Sequence, residues 1–576
     1  MGQMGQMNQM SQMGQMGQMN QANMYIPQFQ QQGGYGIQQQ QVLGYGDPFS
    51  GGSVSGIPFV EGDDEKIDVS TNTSEGKIDV KSLQFKAHEF LEVKLQAAKN
   101  AIDRRKKQQT IPCMASIKAQ NIVTENQRVP LDVVFLVDVS GSMMGQKIQL
   151  VRETFDFLID EFGDNDRVSL IQFDHGATRL TPLKRMTAEG KKEALDKTRC
   201  LNADGGTDIA SAVEMGLRTL KSRKYVNQVT SILLLSDGQD SCEQRVKELL
   251  DNSGIADDFT INTFGYGNDH DPKLMGNIAE FKDGVFHYIE NLEVVAASFA
   301  DCVGGLMSVI AKNIRITVRP EISEKLPHVK ITKVFMDDRN LKENRGENPR
   351  TFTVNYSQML SATSKDFVFM LQISNPDGEV GTEEEGAMEV INEEEEEAKN
   401  SQHDLVPGAA DIGDDVMIAS AICEFVPLNG EESVSNHSDL TIQCGDGVRA
   451  IVWNDEVLVN YFRSRTAEAL KTANTMAKDN ALEGARKVLK EVLAELEGSS
   501  VKSTEMVQQL IRDTNDALRR MQNVTEYRSS GDAYLKSMAR NHMMQQSTVS
   551  NMCYQNPMQG MMMSKAMNNQ NQGFPQ

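Results

Sequence analysis

Continuous apolar runs, then alternating ones, then helical stripes succeed one another along this chain. Val133 to Val137 and Ser231 to Leu235 are short continuous apolar runs, the pattern of strands buried on both sides in a parallel sheet, and Val168 to Phe173 and Phe259 to Tyr266 are expected to supply further strands. Between them, Ile148, Val151, Phe155, Leu158 and Phe162 are spaced as one buried helix face. Asp208 to Arg223 predicts a second helix, and Asp271-Pro272 is an N-cap and first-turn proline opening a third that runs through Phe281. With an edge strand at Thr178 to Leu183 and a last strand at Gly284 to Ile289, residues 131–312 predict an α/β fold with a doubly wound, mostly parallel six-stranded sheet.

Beyond this the period becomes two. Ile314, Ile316 and Val318 alternate with Arg315, Thr317 and Arg319, and Phe352, Val354 and Tyr356 with polar neighbours, which predicts a β-sandwich over 313–446. Strands within 77–130 are expected to join it, with Arg104 to Lys107 as a solvated turn. Glu383 to Glu385 and Glu393 to Glu397 repel one another, so 376–412 is expected to be a disordered acidic insert. Residues 456–525 carry two apolar helix faces joined at Gly498-Ser499, an expected antiparallel helical hairpin. Met recurs at every third position from Met1 to Met19 among Gly, Gln and Asn, a period that draws no helical stripe. Disordered Met/Gln-rich tails are therefore expected at 1–62 and 542–576.

The 576 residues carry a net charge of -23, which argues against nucleic acid or an anionic membrane as main partner. No run reaches the roughly 20 apolar residues of a membrane span, so no membrane insertion is expected, and the N-terminus lacks a signal-peptide pattern. Seven scattered cysteines without a C-x-x-C suggest neither a zinc site nor a disulfide framework, and fit a reduced, cytoplasmic setting.

The chemistry gathers at the ends of the apolar runs. The first ends in Asp138-Val139-Ser140-Gly141-Ser142; Gly205-Gly206-Thr207-Asp208 opens a helix; Ser236-Asp237-Gly238 ends another run. Ligands of open α/β sheets bind outside the carboxyl ends of the strands, so these oxygens could converge on a hard cation. Asp138 and Asp237 could each simply cap the following helix, but capping does not require Ser140, Ser142 and Thr207 as well. Catalytic patterns fail in detail. Ser140 stands where an aspartyl-nucleophile phosphatase needs its second Asp, and Gly141 to Lys147 is one residue short of a phosphate-binding loop, with Ile148 in place of its Ser or Thr.

In their order, D-V-S-G-S, G-G-T-D and S-D-G resemble a von Willebrand factor type A domain with a complete metal-ion-dependent adhesion site. The resemblance implies that Ser140, Ser142 and Thr207 coordinate Mg²⁺ or Mn²⁺ directly, with Asp138 and Asp237 acting directly or through water. I-P-C-M-A-S-I-K-A, R-V-P-L-D-V-V-F-L-V-D-V-S-G-S-M-M-G-Q-K, L-L-L-S-D-G-Q-D and T-F-G-Y-G-N-D-H-D-P-K-L-M resemble the plant and protist von Willebrand A proteins that carry a RING finger for ubiquitin ligation, over roughly residues 77 to 525. This chain has no Cys/His cluster to hold two zincs, so ligase activity does not carry over. The expectation is a non-enzymatic intracellular adaptor whose metal grips an acidic side chain of a protein partner, with Met143, Gly206 and His270 on the partner-binding face. A RING-less component of a ubiquitin-ligase assembly and a metal-dependent hydrolase are the alternatives.

Overall fold

The computed structural model describes residues 56–67, 86–122, 128–237, 240–255, 259–266, 271–344, 350–375, 413–428, 432–446 and 451–573. Strands β1 (Leu91–Ala97), β2 (Ala101–Asp103) and β3 (Gln108–Ala119) precede the α/β region. That region runs β4 (Leu131–Asp138), α1 (Gln146–Glu161), β5 (Arg167–Phe173), β6 (Ala177–Arg179), β7 (Lys184–Arg185), α2 (Ala188–Arg199), α3 (Ile209–Ser222), β8 (Val229–Ser236), α4 (Glu243–Asp251), β9 (Thr260–Tyr266), α5 (Pro272–Phe281), β10 (Phe286–Ile289) and α6 (Val295–Met307). The sheet order is β10-β9-β8-β4-β5-β6, with the two-residue β7 also on β5. β10, β9, β8, β4 and β5 are parallel, while β6 and β7 pair antiparallel. β4 is central and wholly buried. Val133, Phe135 and Val137 face one core with α1 and α6, whereas Val134 and Leu136 face the other with α3 and α5. This two-sided burial is why the run lacks a polar face.

Residues 56–67, mostly assigned to the N-terminal tail in the sequence reading, are docked along the sheet's edge. Ile57 N donates to Arg179 O at 2.9 Å and Glu65 N to Leu183 O at 2.9 Å, while the Asp64 carboxylate reaches the buried Arg167 at 2.9 Å. The tail expectation fails from Gly56 onward, because short-range periodicity does not register an extended segment held by backbone and ionic contacts. Residues 1–55 lie outside the described residues.

β11 (Val309–Pro320) follows α6 almost without a linker, and β12 (His328–Val334), β13 (Leu341–Asn344), β14 (Thr351–Leu360), β15 (Ser364–Ser374), β16 (Asp414–Pro427) and β17 (Val434–Gly445) complete a two-sheet sandwich. Its sheets are β1-β3-β15-β12 and β13-β14-β11-β16-β17-β2, so the strands before the α/β region return to this later unit. Ile117, Phe367 and Phe369 from one sheet share a core with Ile316, Val354 and Cys423 from the other. The acidic insert 376–412 lies outside the described residues.

The C-terminal region departs most from expectation. α7 (Asp455–Lys478), α8 (Leu482–Gly498) and α9 (Glu505–Arg520) are joined by α10 (Asp532–Met544), so the hairpin is part of a larger helical bundle. The expected disordered tail from 542 is folded. His542 is fully buried, its ring bridging Asp513 Oδ2 (3.0 Å) and Tyr554 Oη (2.8 Å), and α11 (Pro557–Gly573) packs Met558, Met562, Met563 and Ala566 into the core beside α6. The reason lies in α6, whose thirteen residues are all buried. A helix this largely apolar, buried along its whole length, needs a cover on every side, and unbranched methionines fill an irregular surface that needs no regular stripe. The cover is close: a Cβ added at Gly304 would lie 3.0 Å from Gln559 Cα.

Candidate metal centre

β4 and β8 are parallel neighbours, so their carboxyl ends deliver Asp138 and Asp237 to the same rim of the sheet. Past β4, the backbone closes a short turn in which Met143 N donates to Ser140 O at 3.0 Å, then enters α1 through Gly145, whose φ of 79° favours glycine. This turn aims the two serine hydroxyls at the rim. Ser140 and Ser142 Oγ atoms are 2.9 Å apart, and Ser142 Oγ donates to Asp237 Oδ1 at 2.7 Å. Asp138 is tied on both oxygens, by Ser140 N at 2.8 Å and by Ser236 Oγ at 2.5 Å.

The loop that carries Thr207 is laced to this turn by backbone bonds. Asp204 N donates to Val139 O at 2.7 Å and Gly141 N to Gly205 O at 3.0 Å. Asp208 then caps α3, accepting from Ser211 N at 2.9 Å. Gly205 has φ of 87°, which favours glycine, and an added Cβ at Gly206 would fall 2.7 Å from Nδ1 of the exposed His175 ring, which packs over the loop.

Burial pushes the Asp138 carboxyl up to about 6, opposed by its bonds from Ser140 and Ser236 and reinforced by the charge of Asp237. Two buried carboxylates beside the Ser140 and Ser142 hydroxyls form an all-oxygen set, and a positive charge between them would relieve what holds Asp138 high. Such a set suits Mg²⁺ or Mn²⁺ rather than a thiolate- or imidazole-seeking metal. Among the described residues no three His, Cys, Asp or Glu side chains cluster as a metal site. Hydroxyls must therefore supply much of any coordination.

Asp138, Ser140, Ser142 and Asp237 thus form one hydrogen-bonded group, with the Thr207 loop fastened beside it. The expected partner face needs correction. Met143 is fully buried, because the turn after Ser140 folds it beneath the rim, and Met144 is 56 % exposed instead. Gly206 is half-buried below His175, and His270 lies outside the described residues. Sequence reasoning also missed Lys147, whose ammonium ion-pairs with Asp237. The signal was its place directly after the serine turn, where the faint resemblance to a phosphate-binding loop drew attention to an anion instead.

The von Willebrand factor type A domain model matches residues 132–300. "E3 ubiquitin-protein ligase WAV3" of Arabidopsis thaliana is 31% identical over 201 residues, covering 35% of this chain and 26% of that protein. "Probable E3 ubiquitin-protein ligase WAVH2", also of Arabidopsis thaliana, is 27% identical over 239 residues, covering 40% of this chain and 32% of that one. The match thus spans a third or less of either relative. Among solved structures, a von Willebrand factor type A protein from Catenulispora acidiphila superposes with a TM-score of 0.52 at 15% identity, over 83% of this chain and 98% of that chain, a likeness of fold.

Proposed function

Taking residues 132–300 as a von Willebrand factor type A domain, we propose that this chain is a non-catalytic, cytoplasmic recognition protein that holds Mg²⁺ or Mn²⁺ at its strand-end rim and grips an acidic side chain of a protein partner. The observation that carries the reading is the joining of Ser140, Ser142 and Asp237 through contacts of 2.9 and 2.7 Å, beside the buried Asp138. A divalent ion there would supply an open coordination position for an outside carboxylate. The chain's own part is to fix the hydroxyls through the serine turn, to present Thr207 from a glycine loop, and to offer exposed Met144 and His175 around the rim. Ser142 donates to a carboxylate, and neither serine is hydrogen-bonded to a histidine among the described residues. The set therefore resembles ligands more than a nucleophile with its base.

The names of the two Arabidopsis relatives favour a second reading, in which the same recognition serves a ubiquitin-ligase assembly. One experiment tests both. Affinity capture with wild type and Asp237→Ala, in Mg²⁺ and in EDTA, should recover partners that are lost on chelation and lost in the variant. Ubiquitin-conjugating components among them would favour the second reading. Identical recovery in all four conditions would remove the metal-dependent one.

A further inference from the structure

Lys147 is the second residue of α1, and its ammonium meets Asp237 Oδ2 while Ser142 holds Oδ1 at 2.7 Å. Asp237 is thus claimed on both oxygens, one by a hydroxyl and one by a cation. The carboxylate is fully buried, but the lysine side chain is 23% exposed. Its charged end therefore has a way out to water along a flexible four-carbon stem. From this geometry, and resting on the metal reading above, we infer that Lys147 is a resident cation that exchanges with the divalent ion at Asp237. It acts as a positioning residue that sets how much metal the site requires.

The argument is one of charge. A divalent ion and an ammonium on the same carboxylate repel strongly in a partly desolvated site. Loading the ion therefore requires the ammonium to swing outward, and the work of breaking its pair is subtracted from metal affinity. Before loading, the same pair keeps a buried carboxylate from standing unpaired, which would be destabilising. The lysine thus preserves the arrangement of Asp237 and Ser142 without metal and resists its arrival. Replacing it by a neutral side chain of similar length should reverse both effects.

The test is a Mn²⁺ titration of the full chain by calorimetry, with thermal midpoints measured with and without Mn²⁺. Lys147→Met should bind Mn²⁺ at least about 10-fold more tightly than wild type at the same stoichiometry, whereas Lys147→Arg, which keeps the charge, should not tighten. Without metal, Lys147→Met should melt below wild type, and Mn²⁺ should close the gap. Should Lys147→Met fail to fold, Lys147→Gln takes its place. Equal or weaker Mn²⁺ binding by the neutral variant, with wild type binding, would overturn the exchange and leave the metal site standing. Folded wild type and neutral variant that both fail to bind Mn²⁺ would overturn the metal reading and the exchange with it.

Discussion

Asn556 Nδ2 donates to Ser308 Oγ at 2.7 Å, fastening the segment before α11 to the carboxyl end of α6. Three methionines of α11 follow it into the core against that helix. Deleting residues 557–573 should accordingly lower the thermal midpoint by several degrees, and Met562→Ala alone should cost ~2–5 kcal/mol in urea denaturation, the usual range for emptying a buried Met site. Unchanged midpoints in both variants would show that α11 does not cover α6 in solution.

How much of this could be read in the sequence depended on whether a residue's partner was near in sequence or repeated in a pattern. The centre of β4 was legible because burial on both faces leaves Val133 to Val137 as an unbroken apolar run, and Asp138 and Asp237 drew attention because each follows such a run. The α11 methionines have no such signature: their partner is a helix more than 250 positions earlier, and their own spacing draws no stripe. Met143 and Met144 were indistinguishable by type, and only the turn after Ser140 decides which is buried. Asp64 likewise gave no hint of Arg167, since an ion pair across that separation has no local pattern.

Asp301 in α6 offers a test of the buried junction between the α/β region, the sandwich and the C-terminal segment. Its Oδ1 accepts from Ser547 at 2.9 Å and Gln559 at 3.1 Å, while Oδ2 has no hydrogen-bond partner among the described residues. His287, Asp283, Cys302, Lys365 and Tyr554 line the same cavity of about 100 Å³. Burial raises the Asp301 carboxyl to about 6. Between pH 4 and 6 the folded chain therefore keeps a proton that the unfolded chain has released, so this group's contribution to stability falls as pH rises through that window. The loss at neutral pH is on the order of 2–3 kcal/mol. Asp301→Asn, which keeps the oxygen acceptor, should flatten that slope in urea melts at pH 4.5, 5.5 and 6.5. An unchanged slope would assign it to other groups.

Metal occupancy has a direct stability readout. At about 100-fold excess over its dissociation constant, Mg²⁺ or Mn²⁺ should stabilise wild type by ~2.7 kcal/mol. Asp138→Ala and Asp237→Ala should remove that gain while circular dichroism shows the fold retained, because both residues end strands at the rim of the sheet. Equal metal-induced shifts in wild type and both variants would place the ion elsewhere.

Recognition and occupancy separate at Thr207. If the ion bridges to a partner carboxylate, metal must tighten the partner and partner must tighten the metal by the same factor. Thr207 stands on a loop fastened to the serine turn through Gly205 O and Gly141 N at 3.0 Å, on the rim that a partner would approach. Thr207→Ala should weaken both binding steps while leaving the backbone lacing, and so the fold, in place. Changing the bridging Glu of a captured partner to Gln should remove most of the metal dependence and leave a weaker contact from the surrounding rim, Met144 included. Calorimetry of the partner in Mg²⁺ and in EDTA measures both. Identical affinities in the two buffers would make the ion a structural one and move the recognition surface to the sandwich or the helical bundle.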